Sequence, residues 1–132
     1  MTPKITAFIS ELPKVVLRIA VGTVFLYHGV MKVLNGIEGF ATYIRALGVP
    51  FSPIVSYLVV TAEFFGGLML IVGFYARWAT LPLIATMGVA IVKVTGKYGF
   101  NVFDKGYEYN MVLIACLVAI LIQGSGKWSV RN

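Results

Sequence analysis

The sequence predicts an all-α membrane protein, a four-transmembrane-helix bundle with a short interfacial amphipathic helix in its first loop. Three observations carry that expectation. Of 132 residues, 59% are hydrophobic and 12% charged, against a soluble norm of roughly 45–50% apolar and about 25% charged. Mean hydropathy is +0.90, whereas a water-soluble fold of this size needs polar residues to cover a surface that is large relative to its core. Finally, the uncharged stretches Ala46–Ala62, Phe64–Ala76, Trp78–Val92 and Tyr109–Gly126 space out candidate membrane segments. One crossing takes about 20 residues, which leaves room for four crossings and short connections but not for a separate soluble domain. Residues 1–132 are therefore read as one integral membrane domain. The period-2 alternation of a lipid-facing barrel is missing.

The four crossings are expected at about 13–34, 54–73, 77–95 and 108–123. Lys4, Lys14 and Arg18 precede the apolar run Ile19–Tyr27 in the manner of a signal peptide, but no small-x-small cleavage site follows and Arg18 lies inside the segment, so the stretch is read as helix one. Asn35-Gly36 stops that helix. Ile37, Phe40, Ile44 and Leu47 then recur at helical spacing opposite Glu38, Thr42 and Arg45, the pattern of a short helix lying at the membrane interface. Gly48-Val49-Pro50 and Pro53 turn the chain into helix two, and Gly73–Ala76 leaves space only for a tight helical hairpin. Pro82 falls in the first turns of helix three, where a kink is tolerated once neighbours satisfy the freed carbonyl. Gly96–Tyr107 forms the last loop.

Four crossings put both termini on one side. Lys4, Lys14, Arg77, Lys127 and Arg131 then face Arg45, Lys97 and Lys105 across the membrane, a five-to-three positive-inside vote for cytoplasmic termini. The net charge of +6 comes from bases scattered singly, without the run or stripe that nucleic acid requires. One cysteine, Cys116, excludes an internal disulfide, a CxxC pair and an iron–sulfur cluster, and is read as a packing residue. One histidine excludes paired axial haem ligands. No dinucleotide fingerprint or Walker loop follows a strand pattern, so no tightly bound nucleotide is expected. With no metal and no covalently bound cofactor expected either, any electron carrier is borrowed.

Charged side chains inside the membrane cost roughly 2.5–3.5 kcal/mol each at the centre and tend to face protein and to be paired or functional. Arg18, His28 and Lys32 share an arc of about 80° on helix one at 100° per residue. Glu63 lies about nine residues, or roughly 13 Å, into helix two, with Gly66 and Gly67 placed to admit a neighbouring helix. Lys93, Glu108 and Asn110 fall in the same outer half as His28 and Lys32. These six groups, His28, Lys32, Glu63, Lys93, Glu108 and Asn110, are the candidate ligand-binding set of an outer-half pocket. A plainer reading stands beside it: Lys32, Lys93 and Glu108 snorkel to headgroups, Arg18 and Arg77 anchor or pair structurally, and Glu63 pairs with Arg18, His28 or Lys93.

The order of these features resembles the DoxX family of small bacterial and archaeal membrane proteins. The matching residues are Arg18, Gly22, Phe25, His28-Gly29 and Lys32, the Gly39-Phe40 to Gly48-x-Pro50 loop, Glu63 with Gly66-Gly67, then Gly73, Arg77, Tyr107-Glu108-x-Asn110 and a terminal Gly124-x-Gly126-x-x-Ser129. Ser125 and Val130-Arg131 depart from the family's Gly-Pro-Gly-x-x-Ser-Leu-Asp ending. The resemblance implies a four-helix bundle in the prokaryotic inner membrane, and membership of redox systems such as thiosulfate:quinone oxidoreductase or assemblies with a superoxide dismutase and a sulfurtransferase.

The leading expectation is accordingly a subunit of a membrane oxidoreductase complex rather than an enzyme on its own, binding a quinone or similar ligand. His28 and Lys32 would donate hydrogen bonds and Glu63 would relay a proton. Its partners are the lipid bilayer and proteins of the complex, with homo-oligomerisation open and no nucleic acid. The alternatives are an accessory scaffold subunit without a ligand and a small proton-coupled transporter. Against the latter, the small multidrug exporters that invite the comparison carry their key glutamate on helix one, not helix two.

Overall fold

The computed structural model describes residues 1–132 as five α-helices without a strand. They are α1 (Pro3–Leu34), α2 (Ile37–Ala46), α3 (Ser52–Val72), α4 (Ala76–Ala90) and α5 (Glu108–Gln123). A π-helical turn, Ile91–Thr95, continues α4, and 3₁₀ turns at Gly96–Tyr98 and Val102–Asp104 lead to α5. α3 and the continuous stretch Ala76–Tyr98 are each long and apolar enough to cross a bilayer, while α5 is apolar but only 16 residues long.

The largest departure from the sequence expectation is the start of α1, at Pro3 instead of near Pro13. Thr2 supplies the cap, its hydroxyl accepting the Ile5 N–H at 3.3 Å, and Pro3 occupies the first turn, where its missing N–H costs nothing. Pro13, the expected start, instead lies inside the helix. The extra turns carry Phe8, which packs against Trp128 with ring centroids 5.0 Å apart.

α1 and α3 pack closest, because glycines line their contact. A Cβ on Gly22 would lie 2.7 Å from the Gly67 carbonyl oxygen, and one on Gly29 would lie 2.7 Å from the Phe64 nitrogen. Gly66 faces the other way, toward Leu83 of α4. Around this contact Val21, Phe25, Leu70, Leu83, Leu117 and Ile120 belong to one core cluster joining α1, α3, α4 and α5. α2 folds over the predicted amphipathic run and buries Ala41 and Ile44, with Arg45 Nε donating to Ser52 Oγ at 3.1 Å.

Only 27 of 132 residues are buried, and the outward faces of α3, α4 with its π turn, and α5 present Leu58, Phe65, Leu81, Val92, Val112 and Ile122. Such a surface suits hydrocarbon as solvent, where helices associate through small-residue contacts and polar pairs rather than by expelling water.

The bundle has two unlike ends. At the loop end α1 and the π turn finish, α3 and α5 begin, and α2 and the α4–α5 loop cover the opening. At the tail end lie the α3–α4 turn and residues 124–132. There Gly73 adopts φ +74° to end α3, and Tyr75 N–H donates to the Arg131 carbonyl at 2.7 Å, while Val130 N–H and Arg131 N–H donate to Val72 and Gly73. The tail is thereby tied along the turn.

Candidate functional site

A cavity of about 400 Å³ occupies the loop end. Four elements deliver polar groups to it: His28 and Lys32 from α1, Glu63 from α3, Lys93 from the π turn and Asn110 from α5. Phe25, Phe40, Val59, Met87 and Leu113 supply much of the remaining wall. Five of the six residues expected at the site from sequence therefore line one cavity.

Glu63 is placed by the glycines that follow it. Because Gly67 lets α1 approach, Glu63 turns its carboxylate toward Lys32, whose Nζ lies 2.7 Å from Oε2, and the Glu63 side chain is left only 4% exposed. The partner is Lys32 and not Arg18, His28 or Lys93. Lys32 also lies 5.1 Å from the Phe40 ring centroid, a cation–π contact to α2. His28 is exposed and stacks edge-on against Tyr27 at 5.7 Å. A smaller cleft of about 300 Å³ shares His28, Lys32, Phe40 and Tyr43 with the cavity, so these side chains border both spaces.

Lys93 owes its position to the π turn, in which the Gly96 N–H reaches back five residues to the Ile91 carbonyl. One residue more than a regular turn rotates the end of the helix, a distortion common at functional sites. Asn110 is buried, its Nδ2 3.5 Å from Met87 Sδ. Glu108 stands apart: its carboxylate accepts the Val102 N–H at 2.6 Å and pins the last loop instead of facing the cavity.

That loop brings in Lys105, which the sequence marks only as a topology base. Tyr107 N–H donates to the Gly99 carbonyl and Glu108 N–H to that of Phe100, folding the loop back so that Lys105, with positive φ, borders the cavity. The glycines at 99 and 106 were the available signal for this turn, since a Cβ on Gly106 would collide with the Gly99 carbonyl. Three lysines thus line the cavity with one carboxylate. No cluster of three or more His, Cys, Asp and Glu side chains is placed to hold a metal ion.

Arg18 and Arg77 belong to the other end. Arg18 is 3% exposed and donates from Nη1 to the Ser125 carbonyl and from Nη2 to that of Trp128 at 2.7 Å. It makes no ion pair. Arg77 is exposed, with Nη2 3.4 Å from the Ile122 carbonyl. Glu11, absent from the candidate set, joins this end: it pairs with Lys14 at 2.9 Å and accepts the Lys127 N–H at 2.7 Å.

A family model described as DoxX matches residues 14–96. The matched segment holds Arg18, His28, Lys32, Glu63, Arg77 and Lys93, and stops short of Lys105, Glu108 and Asn110. A Haemophilus influenzae protein described as uncharacterized is 27% identical over 125 residues, which span 92% of this chain and 82% of that one. A Bacillus subtilis protein named "Putative oxidoreductase CatD" is 25% identical over 115 residues, 87% of this chain and 81% of that one. No solved structure matches the chain.

Proposed function

The chain belongs to the DoxX family of membrane proteins, and from that membership we propose that it is a subunit of a redox-linked membrane complex whose loop-end cavity binds a quinone or another small redox ligand. On this reading α1 from Pro13 onward, α3, α4 with its π turn, and α5 cross the bilayer. α2 lies at the outer interface, and the tail end with both termini is cytoplasmic.

The observation that carries the proposal is the chemical layout of the cavity. An aromatic and aliphatic chamber with a few convergent polar groups is the usual form of a small-molecule site. Lys32 and His28 are the donors for a ligand oxygen, and the excess of lysines favours oxygens on which negative charge develops. Reducing a quinone to a quinol takes two electrons and two protons. The electrons would come from a partner protein, since this chain offers no carrier ligands, and Glu63 would pass the protons singly. The name of the Bacillus subtilis relative leans in the same direction.

The test is to extract and quantify quinone from the purified protein and from His28→Ala. Quinone recovered from the wild type and reduced in the variant supports the site, whereas equal, near-zero recoveries overturn it.

One observation favours a second reading, a scaffold subunit without a ligand: the Lys32–Glu63 pair closes the α1–α3 contact and would serve as a lock. Glu63→Gln separates the two. Intact assembly with lost redox turnover supports the ligand site, and lost assembly of an otherwise folded protein supports the scaffold.

A further inference from the structure

We propose that the tail end of the bundle carries a phosphate-binding site built by Arg77, Gln123 and Lys127 around the Gly124–Gly126 turn. A cleft of about 480 Å³ lies there, and Trp78 is its one hydrophobic lining residue. It is separate from the loop-end cavity and shares no residue with it.

The hydrogen-bonding groups around this cleft are unevenly used. Its acidic side chain, Glu11, is already engaged, with one oxygen on Lys14 at 2.9 Å and the other on the Lys127 N–H at 2.7 Å. Apart from Lys14 and the Lys127 N–H that engage it, the cations and donors are little used. The Lys127 ammonium has no partner, and the Arg77 guanidinium has one long contact, 3.4 Å to the Ile122 carbonyl. Gln123 Nε2 is buried and makes no hydrogen bond, a costly arrangement for a donor unless a ligand satisfies it. The N–H groups of Ser125 and Gly126 are likewise free of backbone partners.

The turn holds these groups together. Gly124 and Gly126 both have positive φ, and a Cβ on Gly124 would lie 2.9 Å from Arg77 Nη2, so glycine lets the guanidinium sit against the turn. The unused groups of Arg77, Gln123 Nε2, Lys127 and the turn are cations or N–H donors, which selects an anion; Ser125 and Asn132 also line the cleft. Their number favours one with several acceptor oxygens, and guanidinium is matched to phosphate geometry. Two sources carry that chemistry, the phosphodiester of an anionic lipid headgroup and free phosphate. Basic pockets between membrane helices on the cytoplasmic side suit headgroups. Trp78, 66% exposed on the wall, is a residue type enriched at that interface.

The test uses the full chain in uncharged detergent. Bound phosphatidylglycerol is counted against phosphatidylcholine by native mass spectrometry, and inorganic phosphate is titrated separately by calorimetry. Arg77→Gln combined with Lys127→Gln should weaken the bound probe by about tenfold or more. Gln123→Leu should weaken it without lowering Tm, because it removes an unpartnered amide and not a bond. Selective binding of the lipid with no response to phosphate assigns the headgroup as source, and binding of both assigns phosphate itself. Variants that bind as the wild type does, or a wild type that binds neither probe, overturn the proposal.

Discussion

Lys32 Nζ and Glu63 Oε2 lie 2.7 Å apart, joining α1 to α3 beside one of the close approaches of the two backbones, at Gly29 and Phe64. Lys32 also touches the Phe40 ring, so one side chain ties together three helices around the cavity. The pair is unevenly buried, 22% exposed at Lys32 against 4% at Glu63, and that unevenness sets its energetics.

Lys32→Met strands a buried carboxylate and should destabilise the protein by about 3–5 kcal/mol. Glu63→Gln leaves an ammonium that can swing toward the headgroups and should cost less. The double substitution should recover part of the loss, and a double-mutant cycle on denaturant unfolding in detergent measures it. Additive losses would show that the contact contributes no coupling.

Gly67→Ala places a methyl group 2.5 Å from the Leu26 nitrogen and 2.7 Å from the Gly22 carbonyl oxygen, atoms that cannot rotate away. The α1–α3 contact must open, with an expected loss of roughly 1–3 kcal/mol. Gly88→Ala, where a Cβ meets nothing within 4 Å, is the control and should leave the melting temperature unchanged or higher.

Arg18→Lys removes the planar fork that reaches two carbonyls at once, and a single ammonium does not reproduce that geometry. Amide exchange over residues 124–132 should accelerate relative to wild type, while the α3–α5 core stays protected. An unchanged exchange pattern in the tail would contradict the latch.

Glu11 gives the tail a pH dependence. Hydrogen bonds from the Lys14 ammonium and from the Lys127 N–H hold its carboxyl below the ordinary value, against the opposing effect of burial. Because the folded value is the lower one, the contribution is fully present above the unfolded value of about 4.3 and is lost as pH falls through the folded value. Trp128 fluorescence, followed in a Trp78→Phe background, should be flat at neutral pH and change on acidification below that range. Glu11→Gln should abolish the acid step.

Depth was legible in the sequence, and rotation was not. The position of Glu63 along its helix followed from counting residues at 1.5 Å each. Its choice of Lys32 depends on how Gly22, Gly29 and Gly67 rotate α1 against α3, which no single-helix pattern encodes. Glu108 lies at the expected depth but faces a loop N–H presented by the turn that begins at Asn101. The partners of Arg18, read as an anchor, escaped for a different reason: they are backbone carbonyls, which leave no mark on residue type. Lys105 reached the cavity only through long-range folding of the loop.

The Arg18 latch also bears on the timing of biosynthesis. Its acceptors, the carbonyls of Ser125 and Trp128, are 107 and 110 residues downstream. Until those residues have been synthesised, the guanidinium on α1 must be kept by water or lipid headgroups. The contact forms only after α3, α4 and α5 have been made, so it joins the first helix to the segment that follows α5 once the bundle's helices are all present.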